Sequence, residues 1–290
     1  MIGLQVLTCS VALAIAAPVL ADQVRTVDCS RSTIGRVLEN KEDKAKPLVL
    51  RIRGTCAEHV TVDRDDVTLE GDGAGVTING SITIDTGRRA VVSNLTVTNA
   101  TGDGVTVVNG GSATIRDSNM VDNGGYGVSV RNAAFALAER NVLSRNGRTD
   151  TQASGIFVGT GSMVRGLQNV MEGNANAGIE VGDSATYRSE GDAVTSFPSG
   201  RASLDIYRAG FVDVRGVTVT GLVDVNQQSQ LQVRNVSGFA GSTITGNIAV
   251  GVLSLLRLRT GVVHTGTRNC AGGLGFSTNL GNLSACQIDP

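Results

Sequence analysis

A four-residue phrase returns four times in the middle of the chain: Gly104-Val105-Thr106-Val107, Gly127-Val128-Ser129-Val130, Gly155-Ile156-Phe157-Val158 and Gly178-Ile179-Glu180-Val181, at intervals of 23, 28 and 23 residues. A fixed period in this range is the mark of a solenoid, in which each unit buries its apolar face only against its neighbours. Within each phrase apolar residues alternate with others, which is strand periodicity and places Val105, Val107, Val128, Val130, Ile179 and Val181 on one face. Gly and Asn punctuate the phrases too often for helices. A coil of about 23 residues made of very short strands and turns predicts a parallel β-helix.

A second phrase supports the same reading. Asn119, Asn141 and Asn169 each follow a short alternating segment, and Asn123, Asn146 and Asn174 each close a turn. Asparagine tolerates left-handed backbone and hydrogen-bonds neighbouring main chain, so it suits a sharp bend between strands. Repeated in every coil, the amides are expected to stack into ladders at the spacing of paired strands, about 4.8 Å. Aligning Asn119, Asn141 and Asn169 puts Ile115, Leu137 and Arg165 four residues earlier, and an arginine at an inward place predicts a bulge beside Gly166.

The stretches "RNVLSRNGRTDTQASGIFV", "QNVMEGNANAGIEV" and "VDRDDVTLEGDGAGVTI" resemble the repeats of the right-handed parallel β-helix proteins of the pectin lyase-like superfamily. The resemblance implies an all-β, right-handed solenoid. It is unspecific for activity, since that superfamily holds lyases, hydrolases, epimerases, adhesive tailspikes and proteins without catalysis. The Gly-His-Gly and Arg-Ile-Lys motifs of its polygalacturonase-like members and the Asp-Pro-His-Asp of its epimerase-like members do not occur in this sequence.

The ends divide the chain further. Residues 1–21 carry no charged side chain and end in Val19-Leu20-Ala21, the pattern of a secretory signal peptide rather than a membrane anchor. Residues 22–46 are expected to form an N-terminal cap, with a short amphipathic helix over Ser30 to Asn40 bearing Ile34, Val37 and Leu38 at helical spacing. Residues 47–265 form the β-helix and 266–290 a C-terminal cap. Export to the periplasm or cell exterior makes disulfides the natural use of Cys29, Cys56, Cys270 and Cys286, and local pairings are favoured among the three connectivities. With 25 basic against 26 acidic residues, the chain lacks the charge of a nucleic-acid or membrane-surface binder.

Two departures from the period mark candidate loops: "RTDTQA", Arg148 to Ala153, and the segment from Gly182 to Arg201. With Glu180 they supply a candidate ligand-binding set of Arg148, Asp150, Glu180, Asp183, Tyr187, Arg188, Glu190 and Asp192. Carboxylates beside arginines suit an acidic polysaccharide, with calcium as the cofactor if the chemistry is a lyase's and none otherwise. Two function classes stand: an exported, non-catalytic glycan-binding or structural β-helix, and a calcium-assisted polysaccharide lyase or related enzyme. No catalytic residue is assigned, no resident metal site is read, and His59 and His264 lie outside the repeat.

Overall fold

The structure is a computed structural model that describes residues 22–39, 46–195, 201–251 and 253–270, and the backbone of 286–288. Its strands stack into three parallel sheets. Sheet A has 12 strands, from Gln23–Asp28 to Cys286–Ile288; sheet B has 10, from Thr55–Cys56 to Val263–Thr265; sheet C has 10, from His59–Val62 to Arg268–Cys270. Each coil contributes one strand to each sheet in the order A, B, C, as in Ser112–Arg116, Asn119–Val121 and Val128–Val130. The expected leader lies outside the described residues, and among those described no helix is long and apolar enough to cross a membrane.

Register explains the core. Val105 pairs with Val128 and Val107 with Val130, which in turn pair with Ile156 and Val158, then Ile179 and Val181. All eight side chains are buried. Identical positions stacked coil on coil bury apolar area continuously, at roughly 25 cal/mol per Å² removed from water.

Two ladders of buried amides close the A–B and B–C bends. In the first, the Asn141 main-chain N and Nδ2 both donate to Asn169 Oδ1 at 3.1 and 3.0 Å, and those of Asn169 donate to Asp192 Oδ1 at 2.7 and 3.1 Å. In the second, Asn123 Nδ2 donates to Asn146 Oδ1 at 3.0 Å and Asn146 Nδ2 to Asn174 Oδ1 at 2.9 Å. Each Nδ2 also reaches a carbonyl of an earlier strand, for example Asn141 to Ile115 O at 2.8 Å.

Three details of the ladders differ from the sequence reading. Asn119 is an exposed strand residue paired with Val142, and Ser118 holds the ladder place, its N donating to Asn141 Oδ1 at 3.1 Å. The alignment through Asn119 was therefore one residue out. In the true register Ile115 pairs with Ala138 and Ala138 with Gly166, so Arg165 points outward on an unbroken strand and no bulge forms. The left-handed backbone belongs to the residue before each ladder amide, not to the amide itself: Asp117, Arg140 and Gln168 on one bend, Asp122, Arg145 and Gly173 on the other. Those turn residues pair across coils, Arg140 with Asp117 at 2.7 Å and Arg145 with Asp122 at 2.8 Å.

The ladder also explains the glycine that opens the first three repeated phrases, while the fourth, Gly178, makes room for Val194 instead. A Cβ on Gly127 would lie 2.8 Å from Asn146 Nδ2 and 2.7 Å from Gly155 O, and one on Gly155 would lie 2.8 Å from Asn174 Nδ2.

At the N-terminal end the helix spans only Ile34–Leu38, shorter than the predicted Ser30 to Asn40. Thr33 Oγ1 accepts from Arg36 N, and the Glu58 carboxylate accepts from Ile34 N at 2.8 Å and Gly35 N at 3.0 Å. Ile34 and Leu38 are buried. The Cys29–Cys56 disulfide ties this cap to the first coil. Cys270 is disulfide-bonded as well, and its expected partner Cys286 has its side chain outside the described residues.

Replacing Asn141 with Ala should cost about 1–3 kcal/mol, because Ser118 N and Ile115 O of the preceding coil lose a buried partner; chemical denaturation reads this directly. Gly127→Ala should cost about 1–3 kcal/mol by overpacking against the Asn146 amide. Pairing it with Asn146→Ala should recover part of that loss, which a double-mutant cycle measures.

Candidate functional site

Inward places are filled by Val, Ile and Leu, so chemistry falls to outward columns. On sheet C the outward residue of each strand is set by register: Thr106, Ser129, Phe157, Glu180, Asp205, Asp224 and Ala249 stand on successive strands. Three consecutive members are carboxylates. In-register parallel strands bring neighbouring main chains within about 4.8 Å, so the acids form one file.

The three differ in surroundings. Glu180 is only 6% exposed; Tyr207 OH donates to its Oε1 at 2.7 Å, and Ser154 Oγ and Asn176 Nδ2 donate to its Oε2 at 2.7 and 3.4 Å. Burial raises its affinity for a proton, and those three donors partly offset the shift. Asp205 lies between the other two, partly exposed. Burial first, then the charges of Glu180 and Asp224, push its carboxyl up to about 7. Asp224 is also raised by burial, but Asn226 Nδ2 donates to its Oδ1 at 2.6 Å and holds the ionised form.

Beside the acids the same face carries aromatic and cationic groups. Tyr126 and Phe157 stack with centroids 4.7 Å apart at 22°. The Arg131 guanidinium lies 5.8 and 5.6 Å from the two ring centroids and pairs with Asp103. Tyr207 stands over the Glu180 carboxylate and is itself covered by Arg208, 5.5 Å from its ring centroid. The half-buried Tyr126 ring, backed by the buried Phe157, stands next to a file of titratable acids and can pack on a sugar ring whose oxygens exchange protons with them.

Of the residues singled out from sequence, Glu180 belongs to this file, and Asp150 is near enough to raise its carboxyl further. The others lie elsewhere. Arg148 Nη1 donates to Asn99 Oδ1 at 2.8 Å and to Asp122 O at 3.1 Å, so "RTDTQA" folds back along the preceding coils instead of protruding. Asp183 pairs with Arg208 at 3.3 Å on a turn. Arg188 and Glu190 point outward from sheet A, away from the file.

Tyr187 and Asp192 are corrected outright. The segment after Gly182 is a regular coil, with strands Thr186–Glu190 and Ala193–Thr195, not a loop; only residues 196–200 of it lie outside the described residues. Tyr187 is wholly buried between Val164 and Val212, and its OH donates to Asp192 Oδ2 at 2.5 Å. Neither side chain reaches a surface ligand.

The missed acids, Asp205 and Asp224, have a sequence signal. Leu204-Asp205-Ile206 and Val223-Asp224-Val225 repeat the apolar-x-apolar core of the phrase without its leading glycine. As for calcium, the file forms no cage. Among the described residues the only three-ligand grouping is Cys29, Cys56 and Glu58, whose sulfurs are in a disulfide and whose carboxylate caps the helix. The Glu180 oxygens are already held by protein donors.

A family model described as a right handed beta helix region matches residues 51–194. Together with the stacked coils this decides the class. The chain carries a right-handed parallel β-helix. Among solved structures, this β-helix is similar to the ORF18 protein of Geobacillus virus E2, with 12% identity and a TM-score of 0.56 over 80% of this chain and 53% of the viral one. This chain thus spans about half of the viral protein. It is similar as well to an alginate lyase from Paenibacillus sp. str. FPU-7, with 14% identity and a TM-score of 0.52 over 85% of this chain and 98% of the lyase. The A-module of the mannuronan C-5 epimerase AlgE4 of Azotobacter vinelandii superposes less well, at 14% identity and a TM-score of 0.45 over 92% and 98%. At such identities the likeness is one of fold. No curated protein matches the chain.

The file makes a pH prediction. An ordinary Asp titrates near about 3.9, whereas Asp205 does so at about 7 in the folded chain. Between those values the folded state holds a proton that the unfolded chain has released, so stability falls as pH rises through that window. Glu180 and Asp224 act in the same direction. Asp205→Asn should therefore flatten the decline of melting temperature between about pH 4 and 7, read by calorimetry across that range.

Proposed function

We propose that this β-helix acts on glycans at the outer face of sheet C, as an enzyme that cleaves a glycosidic bond by proton transfer between carboxyl groups. The observation that carries the reading is the file Glu180, Asp205, Asp224 beside the Tyr126–Phe157 platform. Asp205 and Asp224 are side chains of equal length at partner positions on adjacent strands. Their surroundings differ, which is how two like acids take two roles.

In this mechanism Asp205, protonated near neutrality, donates to the leaving oxygen, and Asp224, held ionised by Asn226, acts from the adjacent strand as base or nucleophile. Glu180 does not touch the substrate; its buried charge keeps the proton on Asp205, which makes it a positioning residue. Tyr126, backed by the buried Phe157, offers the sugar an apolar surface, and Arg131 lies beside both rings. The carboxylates present do not fit calcium, so no step passes through a metal. One fold neighbour is an alginate lyase, which agrees with a glycan substrate, and the leader-like first 21 residues agree with a site of action outside the cytoplasm.

A second reading, binding without turnover, is favoured by one observation: Glu180 is saturated by three donors and nearly inaccessible. The two separate cleanly. Purified protein is incubated with a panel of neutral and acidic polysaccharides, with and without a chelator, while new reducing ends and unsaturated-sugar absorbance are followed. The enzyme reading expects chelator-insensitive reducing ends, with Asp205→Asn and Asp224→Asn each lowering kcat by about 100-fold or more. Glycan binding with no turnover on any polymer would establish the second reading instead.

A further inference from the structure

A second built surface lies on sheet A, remote from the carboxylate file. The outward column there reads Leu137, Arg165, Arg188, Asp213, Gln232 on successive strands, and the next outward column reads Leu167, Glu190, Arg215, Arg234. Arg165 and Arg188 are direct register partners and both are exposed. Like charges placed opposite each other destabilise a sheet.

The nearby acids do not relieve them. Asp213, the next residue of the column, is nearly buried and is taken by Arg234 and by Arg215 at 3.4 Å; Glu190 is taken by Arg215 at 3.5 Å. Arg188 has only the Phe211 ring, 6.0 Å from its guanidinium carbon, and Arg165 makes no ion pair or hydrogen bond among the described residues. Arg165, Arg188, Glu190, Asp213 and Arg215 line a groove of about 230 Å³ across three coils, floored by Gly166 and edged by Met163. Gly166 takes an inward place, where a Cβ would meet the buried Tyr187 Oη and Asp192 Oδ2, so toward the groove it presents only main chain.

We propose that this groove is an anion site that takes the carboxylate of an acidic saccharide chain lying across the coils. A guanidinium fork matches a carboxylate in two parallel hydrogen bonds, and a carboxylate between Arg165 and Arg188 relieves the repulsion between them. Met163 and Phe211 supply the apolar edge that a sugar ring needs and an inorganic anion does not. The site is independent of the reading of sheet C: it binds and does no chemistry, and it holds an acidic unit of a polymer whether or not another unit is cleaved on sheet C.

The test uses the full chain and a fluorescently labelled polyuronate hexasaccharide at low and at physiological salt. Arg165→Gln with Arg188→Gln should weaken binding by about tenfold or more and flatten its salt dependence, while Arg51→Gln, at an exposed place several strands away on the same sheet, leaves affinity within twofold. Arg188→Lys keeps the charge and loses the fork, so it should fall between wild type and Arg188→Gln; it serves as well if the double variant is unstable. Affinity of the double variant within twofold of wild type would overturn the proposal. Competition by inorganic sulfate as strong as by the hexasaccharide, or equal binding of an oligonucleotide of the same charge, would overturn the saccharide assignment. Loss of hexasaccharide binding in Asp205→Asn alone would move the acidic subsite to sheet C.

Discussion

Everything in this protein depends on in-register stacking of parallel strands. Because each strand pairs with the equivalent strand of the coils before and after, a residue type placed once per coil becomes a column. Inward columns become a core of Val and Ile, bend columns become amide ladders, and outward columns become files of whatever chemistry the sequence places there. One geometric rule thus produces stability and function, and the two meet at Glu180, whose strand neighbours are Ile179 and Val181 in the core.

The two outward files carry opposite charge on different sheets. On sheet C acids accumulate in one file, and burial first, then the charges of Glu180 and Asp224, push the Asp205 carboxyl up to about 7. On sheet A guanidinium groups accumulate, and the carboxylates among them are already engaged. A solenoid tolerates such local accumulations because stability is a sum of neighbour terms, so a strained coil does not unfold distant ones.

Sequence alone revealed the architecture because the signals that specify it repeat. Gly127, Gly155 and Gly178 recur with the coil, and so do the ladder asparagines. The errors came where a signal occurred once or was carried by a different residue. Ser118 holds a ladder place without being Asn, which shifted the alignment and turned an outward Arg165 into an apparent defect. Asp205 and Asp224 were missed because their strands lack the leading glycine that marks the repeated phrase. The polar variety of Asp183 to Asp192 suggested a loop, yet Tyr187 and Asp192 are polar for an internal reason: they satisfy each other and the end of a ladder.

That ladder has a direction. Every asparagine rung sends its main-chain N–H and one Nδ2 hydrogen toward the next coil and receives from the previous one with Oδ1, so donors and acceptors cannot be exchanged end for end. Asp192 only accepts, and having no hydrogen to pass onward it brings the series to a close. The equivalent place in the following coil is then free to be Val217, buried and without a polar side chain. Coils carrying asparagine could be inserted before this point without disturbing the pattern, whereas one inserted after it would find no side-chain amide to accept from. The molecule is in this respect a filament with one open end and one chemically terminated end, and the terminator is a single oxygen-for-nitrogen exchange.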